Sequence, residues 1–170
     1  MAIFELARSV RHYSGAIHRI ISFCESPREA ADIIAEASTY PEFSSYVNTP
    51  TEVFEWIVEA GGLVNIPETT QFEATGEGRE FLKEYSPELL FEKFMDKESE
   101  HAGLIGEILA ACAKPVGMGE LEERYKGHPA MTPGKLSVSY FVDELEKAGA
   151  LVWQDGWVVT EAGRGFVKSL

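Results

Sequence analysis

Apolar residues recur along this chain at helical spacing, in segments separated by glycine and proline stops, and at two places, once in the middle of the chain and once towards its C-terminus, the spacing switches to the shorter period of a strand. The segment Leu145 to Phe166, LEKAGALVWQDGWVVTEAGRGF, shows both periods. Ala148-Gly149 ends a helix as a glycine cap does, Leu151 to Trp153 and Trp157 to Thr160 are β-rich runs, and Asp155-Gly156 between them predicts a two-residue hairpin turn. A related segment lies earlier, Ile57 to Phe81, IVEAGGLVNIPETTQFEATGEGREF.

The two segments belong to a longer internal match. At an offset of 88, Ile17, Ile20, Ile21 and Cys24 meet Ile105, Ile108, Leu109 and Cys112, Pro27 meets Pro115, and Phe54, Ile57 and Ala60 meet Val142, Leu145 and Ala148. Past the hairpin the offset becomes 85, so that Thr75-Gly76-Glu77-Gly78 meets Thr160-Glu161-Ala162-Gly163. A period this long with two copies predicts two domains of one type rather than a solenoid. In each copy the spacing predicts a first helix (about 15–24 and 102–113), a second (27–37 and 118–125), a polar connector (38–47 and 126–134), and a third helix (50–60 and 135–148) before the hairpin. Pro27 is placed at the first turn of its helix. Ser86-Pro87 predicts a further helix from Pro87 to about Lys97, matched in the first copy by 2–13.

Three helices, the third ending at Ala-Gly, followed by a hairpin that closes on Thr-x-x-Gly, resemble a winged helix-turn-helix domain, here twice. The residues that carry the resemblance are Glu59 to Val64 and Thr75 to Gly78 in the first copy, and Lys147 to Val152 and Thr160 to Gly163 in the second. The fold expected is therefore α+β and mostly helical: a tandem duplication of a three-helix winged-helix domain with a small β-hairpin wing, and an extra helix before each copy. The domains expected are 1–86, a linking helix 87–100, and 101–170.

Composition and charge then bear on function. No run approaches the ~18 uninterrupted apolar residues of a membrane helix, and the first residues lack the order of a signal peptide, so a cytoplasmic location and no membrane partner are expected. Cys24 and Cys112 fall at matching positions in apolar contexts and read as core residues; with four scattered histidines they give no metal-ligand spacing, and no metal or cofactor is expected. Neither a phosphate loop nor a nucleophile elbow is present, and no catalytic residue is assigned: the chain reads as a non-enzyme.

The net charge of −13 is concentrated: residues 25–100 carry five basic against eighteen acidic side chains, whereas residues 1–24 carry three arginines against one glutamate. The resemblance implies that the third helix of each copy enters the major groove of DNA and that the wing touches backbone, which requires donors and positive charge there. In the first copy that helix offers Ser44, Ser45, Asn48, Thr49 and Thr51 as donors, but carries Glu52, Glu55 and Glu59 and no lysine or arginine. In the second copy Thr132, Lys135, Ser137, Ser139 and Tyr140 are candidate DNA contacts, and Arg8, Arg11 and Arg19 near the N-terminus are candidates outside the helices. Neither wing carries a positive charge. Trp153 and Trp157 flank the second turn, either as a cross-strand pair or as a protein contact, and Phe91, Phe94 and Met95 form an apolar stripe that packs on its own domain or meets another subunit. Two functions are thus open: a DNA-binding transcriptional regulator with double-stranded DNA as partner, or an acidic protein-interaction adaptor of tandem winged helices, with a protein partner or a second copy of the chain.

Overall fold

The computed structural model describes residues 1–131 and 136–170 and divides the chain into two compact units, Met1–Ser86 and Pro87–Leu170, each with its own hydrophobic core. The chain is α+β and mostly helical, with two small antiparallel sheets.

The first unit begins with helix α1 (Ile3–Ser9), a single turn of tighter helix at Arg11–Tyr13, and α2 (Ser14–Phe23). Strand β1 (Arg28–Glu29), α3 (Ala30–Ala37), the one-turn helix α4 (Glu42–Ser45) and α5 (Pro50–Glu59) follow, then the hairpin β2 (Leu63–Asn65) and β3 (Gln71–Ala74), and α6 (Gly76–Glu84). The second unit runs α7 (Pro87–Lys97), a tight turn at Ser99–His101, α8 (Ala102–Ala111), α9 (Met118–Tyr125), α10 (Val138–Lys147), the hairpin β4 (Leu151–Trp153) and β5 (Trp157–Val159), and α11 (Glu161–Val167). Apart from β1 and α4, the second unit repeats the order of the first. Helix α7 does not stand apart as a linker: Phe91 and Phe94 are buried in the core of the second unit.

Two differences from the sequence reading have local causes. Residues 28 and 29 pair with β3, Arg28 opposite Phe72 and Glu29 opposite Gln71, and the Glu29 carboxylate accepts hydrogen bonds from Thr70 and Gln71; the helix expected from Pro27 therefore starts at Ala30. Val116 makes the corresponding bridge to Trp157 in the second unit. The second hairpin has a three-residue loop rather than the two-residue turn expected, because Trp153 faces Trp157 across the ladder and leaves Gln154, Asp155 and Gly156 to turn the chain. Gly156 has φ +145°, and a Cβ there would stand 2.7 Å from the Val116 nitrogen.

The Thr-x-x-Gly motif closes both units by the same contacts. Thr160 donates its hydroxyl to the Gly149 carbonyl (2.6 Å) and its N–H to Ala150 (2.9 Å), and its oxygen accepts from Gly163 N–H (3.0 Å) as the cap of α11. Thr75 repeats the set with Gly61 (2.5 Å), Gly62 (3.1 Å) and Gly78 (2.9 Å). The hydroxyl thus ties the start of the last helix to the glycine stop after the third, which is why threonine and glycine recur at this spacing.

Cys24 and Cys112 occupy matching places, wholly buried, their carbonyls accepting from Ala74 and Val159. Burial pushes both thiols up to about 11, so neither is a thiolate at neutral pH. With Ellman's reagent at mildly alkaline pH, the folded chain is expected to label negligibly and the denatured chain to titrate two thiols; rapid labelling of the folded chain would contradict this placement.

Candidate interaction surfaces

Helix α5 begins with a capping box: Thr49 accepts from Glu52 N–H (3.2 Å) while the Glu52 carboxylate accepts from Thr49 N–H (2.7 Å), with Pro50 at the first turn. The bond from the Thr49 N–H first, and then one from the Thr49 hydroxyl to the same carboxylate (3.0 Å), hold the Glu52 carboxyl below its ordinary range. Val53, Phe54 and Ile57 face the core, and the outward face is left to Thr51, Glu52, Glu55 and Glu59, all exposed. A helix so phased turns three carboxylates to solvent on its exposed face.

Helix α10 is placed differently. Its N-cap Ser137 accepts from Tyr140 N–H (3.3 Å) and shares a hydrogen bond with Ser139 (2.8 Å), so both hydroxyls serve the helix start. Tyr140 is half-buried against α7: its hydroxyl donates to Glu98 (2.7 Å), Lys97 lies over its ring at 5.3 Å, and Phe94 meets the ring edge-on. Burial raises the Tyr140 hydroxyl above its ordinary range, and the bond to Tyr140 raises Lys97. Lys147 is exposed but paired with Glu144 (2.5 Å), and Glu146 is buried. Thr132 and Lys135 lie outside the described residues.

The N-terminal arginines separate. Arg8 and Arg11 are exposed on and after α1, whereas Arg19 grips Glu42: one guanidinium nitrogen lies 2.5 Å from each carboxylate oxygen, and the group stacks over Tyr40 at 4.3 Å. Glu42 is only 7% exposed. Arg19 therefore anchors α4 to α2. Nothing in the helical periodicity marks this pair, because Glu42 sits in a connector read as polar.

At the hairpins, the first loop is closed by Asn65, whose amide donates to the Thr69 and Gln71 carbonyls, and Glu68 adopts φ +63° there. In the second, Trp153 and Trp157 form an edge-to-face cross-strand pair with ring centroids 5.5 Å apart. Trp157 is buried and Trp153 half-buried, so of the five residues considered for protein contact, Trp157, Phe91 and Phe94 belong to the core, while Trp153 and Met95 reach the surface.

Among the described residues no group of three or more His, Cys, Asp and Glu side chains could hold a metal ion, and no helix is long and apolar enough to cross a membrane. No protein-family model, curated protein or solved structure matches the chain.

Proposed function

We propose that the chain is a non-enzymatic, acidic protein-interaction module built from two winged-helix units, which does not use its third helices to read DNA. The observation that carries this reading is the outward face of α5, where Glu52, Glu55 and Glu59 are exposed without a basic neighbour on the helix. Phosphate contacts supply most of the affinity of a DNA reader, and three carboxylates on the entering helix oppose them. The second third-helix supports it too, since Tyr140 and Ser137 spend their hydrogen bonds inside the unit. The repeated order of elements and the shared threonine closure support the two-unit winged-helix reading.

A DNA-binding regulator is the second reading, favoured by one observation: Arg8 and Arg11 are both exposed in the basic first segment of an otherwise acidic chain. Fluorescence anisotropy of a labelled random-sequence duplex in low salt separates the two. The module reading expects no binding at tens of micromolar chain; binding that falls steeply as salt is raised, and is lost in Arg8→Ala/Arg11→Ala, would replace it with the regulator.

A further inference from the structure

The second unit carries a largely apolar groove. It runs between α7 and α11 with a volume of about 650 Å³. Its floor is the stacked pair Phe91 and Phe166, whose rings are nearly parallel (4°) with centroids 4.1 Å apart. Met95 and Ala162 extend the apolar surface, and Glu88 and Glu92, one helical turn apart and both exposed, form its rim. Among the described residues lining it, none is basic.

Two features distinguish this groove from an incidental gap between helices. The first is Gly165, which lines it from within α11. Its φ is not in the left-handed region, and a Cβ added there meets nothing within 4 Å. The fold does not require glycine at this position, and glycine weakens a helix relative to alanine. What the missing side chain does provide is an open floor on which another backbone can lie close. The second is the contrast with the first unit. At the matching positions, where α11 and the turn after it present Ala162, Gly165 and Ser169, α6 presents Glu77, Glu80 and Glu84, all exposed. One copy of the pattern has a charged face where the other has a small-residue channel.

We infer that the α7–α11 groove is the docking site for an amphipathic helix of a partner protein, one with apolar residues at i, i+3 or i+4 and i+7 and with Lys or Arg flanking that stripe. The apolar stripe lies on Phe91, Phe166 and Met95, its backbone approaches over Gly165, and its cations meet Glu88 and Glu92. A second copy of this chain is a poor occupant on charge, because it would bring a net −13 molecule to a carboxylate rim. An open channel between two helices also fits an elongated segment better than a compact ligand. This inference rests on the interaction-module reading and names the kind of partner that module takes.

The test uses the full chain and a labelled peptide of about fifteen residues made only of leucine and lysine, with leucine at helical spacing; a control peptide of the same composition alternates the two residues at strand spacing. Saturable binding of the helical peptide is expected, with the alternating peptide much weaker. Gly165→Leu, which fills the channel, is expected to weaken binding about tenfold or more, and so is Glu88→Lys/Glu92→Lys, which also flattens the salt dependence. Glu80→Lys/Glu84→Lys on α6, which makes the same change in net charge elsewhere, is expected to leave binding within about twofold. Should Gly165→Leu fail to fold by circular dichroism, the two reversals at exposed Glu88 and Glu92 carry the test alone. The inference is overturned if the helical peptide does not bind, if the alternating peptide binds as well, if the α6 reversals weaken binding as much as those on α7, or if Gly165→Leu instead dissolves a dimer of the chain. Loss of the peptide result with no DNA binding removes only the groove, whereas salt-dependent duplex binding removes the module reading beneath it.

Discussion

Alanine in place of Gly163 is expected to destabilise the second unit by about 2–3 kcal/mol, although it adds a single carbon to a helix. The added Cβ would lie 2.2 Å from the Ala150 carbonyl oxygen and 2.8 Å from a Val159 methyl. The carbonyl cannot move away cheaply, because it accepts the Thr160 N–H at 2.9 Å and is fixed by the glycine stop beside it. The helix therefore has to back off the hairpin, and the Thr160 closure loosens with it. Gly78→Ala is expected to do the same in the first unit, where the Cβ would lie 2.2 Å from the Gly62 carbonyl. A loss of this size lowers a thermal midpoint by roughly 10–20 °C in a domain of this length. Gly165→Ala, two residues further along the same helix and in open space, is the control: it is expected to be neutral or to stabilise by about 0.5–1 kcal/mol, the ordinary difference between glycine and alanine in a helix. Melting curves that place Gly163→Ala beside Gly165→Ala would refute the close approach.

This glycine also shows what in the fold was legible from the sequence. The match of Thr75 to Gly78 with Thr160 to Gly163 identifies the closing motif, and the structure supplies its reason, a carbonyl packed against a helix that only glycine allows. Helices with one continuous apolar stripe were equally legible: α9 and α7 have the bounds that their spacing predicts, and α5 differs by one residue. What was hidden depended on contacts distant in sequence. The two-residue strand at Arg28 is too short to show a period and exists only because β3 lies beside it. The three-residue loop of the second hairpin turns on the pairing of Trp153 with Trp157, which Asp155-Gly156 alone does not fix. In the candidate surfaces, the carboxylates of α5 could be read directly, since an exposed helix face follows from the phase of its buried one. The engagement of Tyr140 by Glu98 could not, because it joins residues 42 apart, one on α10 and the other in the turn after α7. The groove over Gly165 was hidden for a related reason: a glycine in a helical pattern does not say whether the space beside it is filled.

Arg19→Met is the last expected result, and it separates a structural from a binding role for the N-terminal arginines. Methionine keeps most of the apolar stem but removes the charge, leaving the Glu42 carboxylate 7% exposed and without its guanidinium. Removing one partner of a buried pair costs about 3–5 kcal/mol. Here the Arg19 side chain is 40% exposed, so water screens part of the interaction and a loss of about 1–3 kcal/mol is expected. It should appear as a lower urea midpoint at an unchanged slope, with little dependence on added salt, since a partly buried pair is screened less than a surface pair. Arg8→Met, on the exposed face of α1, is expected to leave the midpoint within about 0.5 kcal/mol. Adding Glu42→Leu to Arg19→Met should recover part of the loss, because the cost lies mainly in the stranded carboxylate, and an apolar pair can replace a buried ionic one. A midpoint unmoved by Arg19→Met would mean that the guanidinium does not hold α4 to α2, and would return Arg19 to the residues available for an anionic partner.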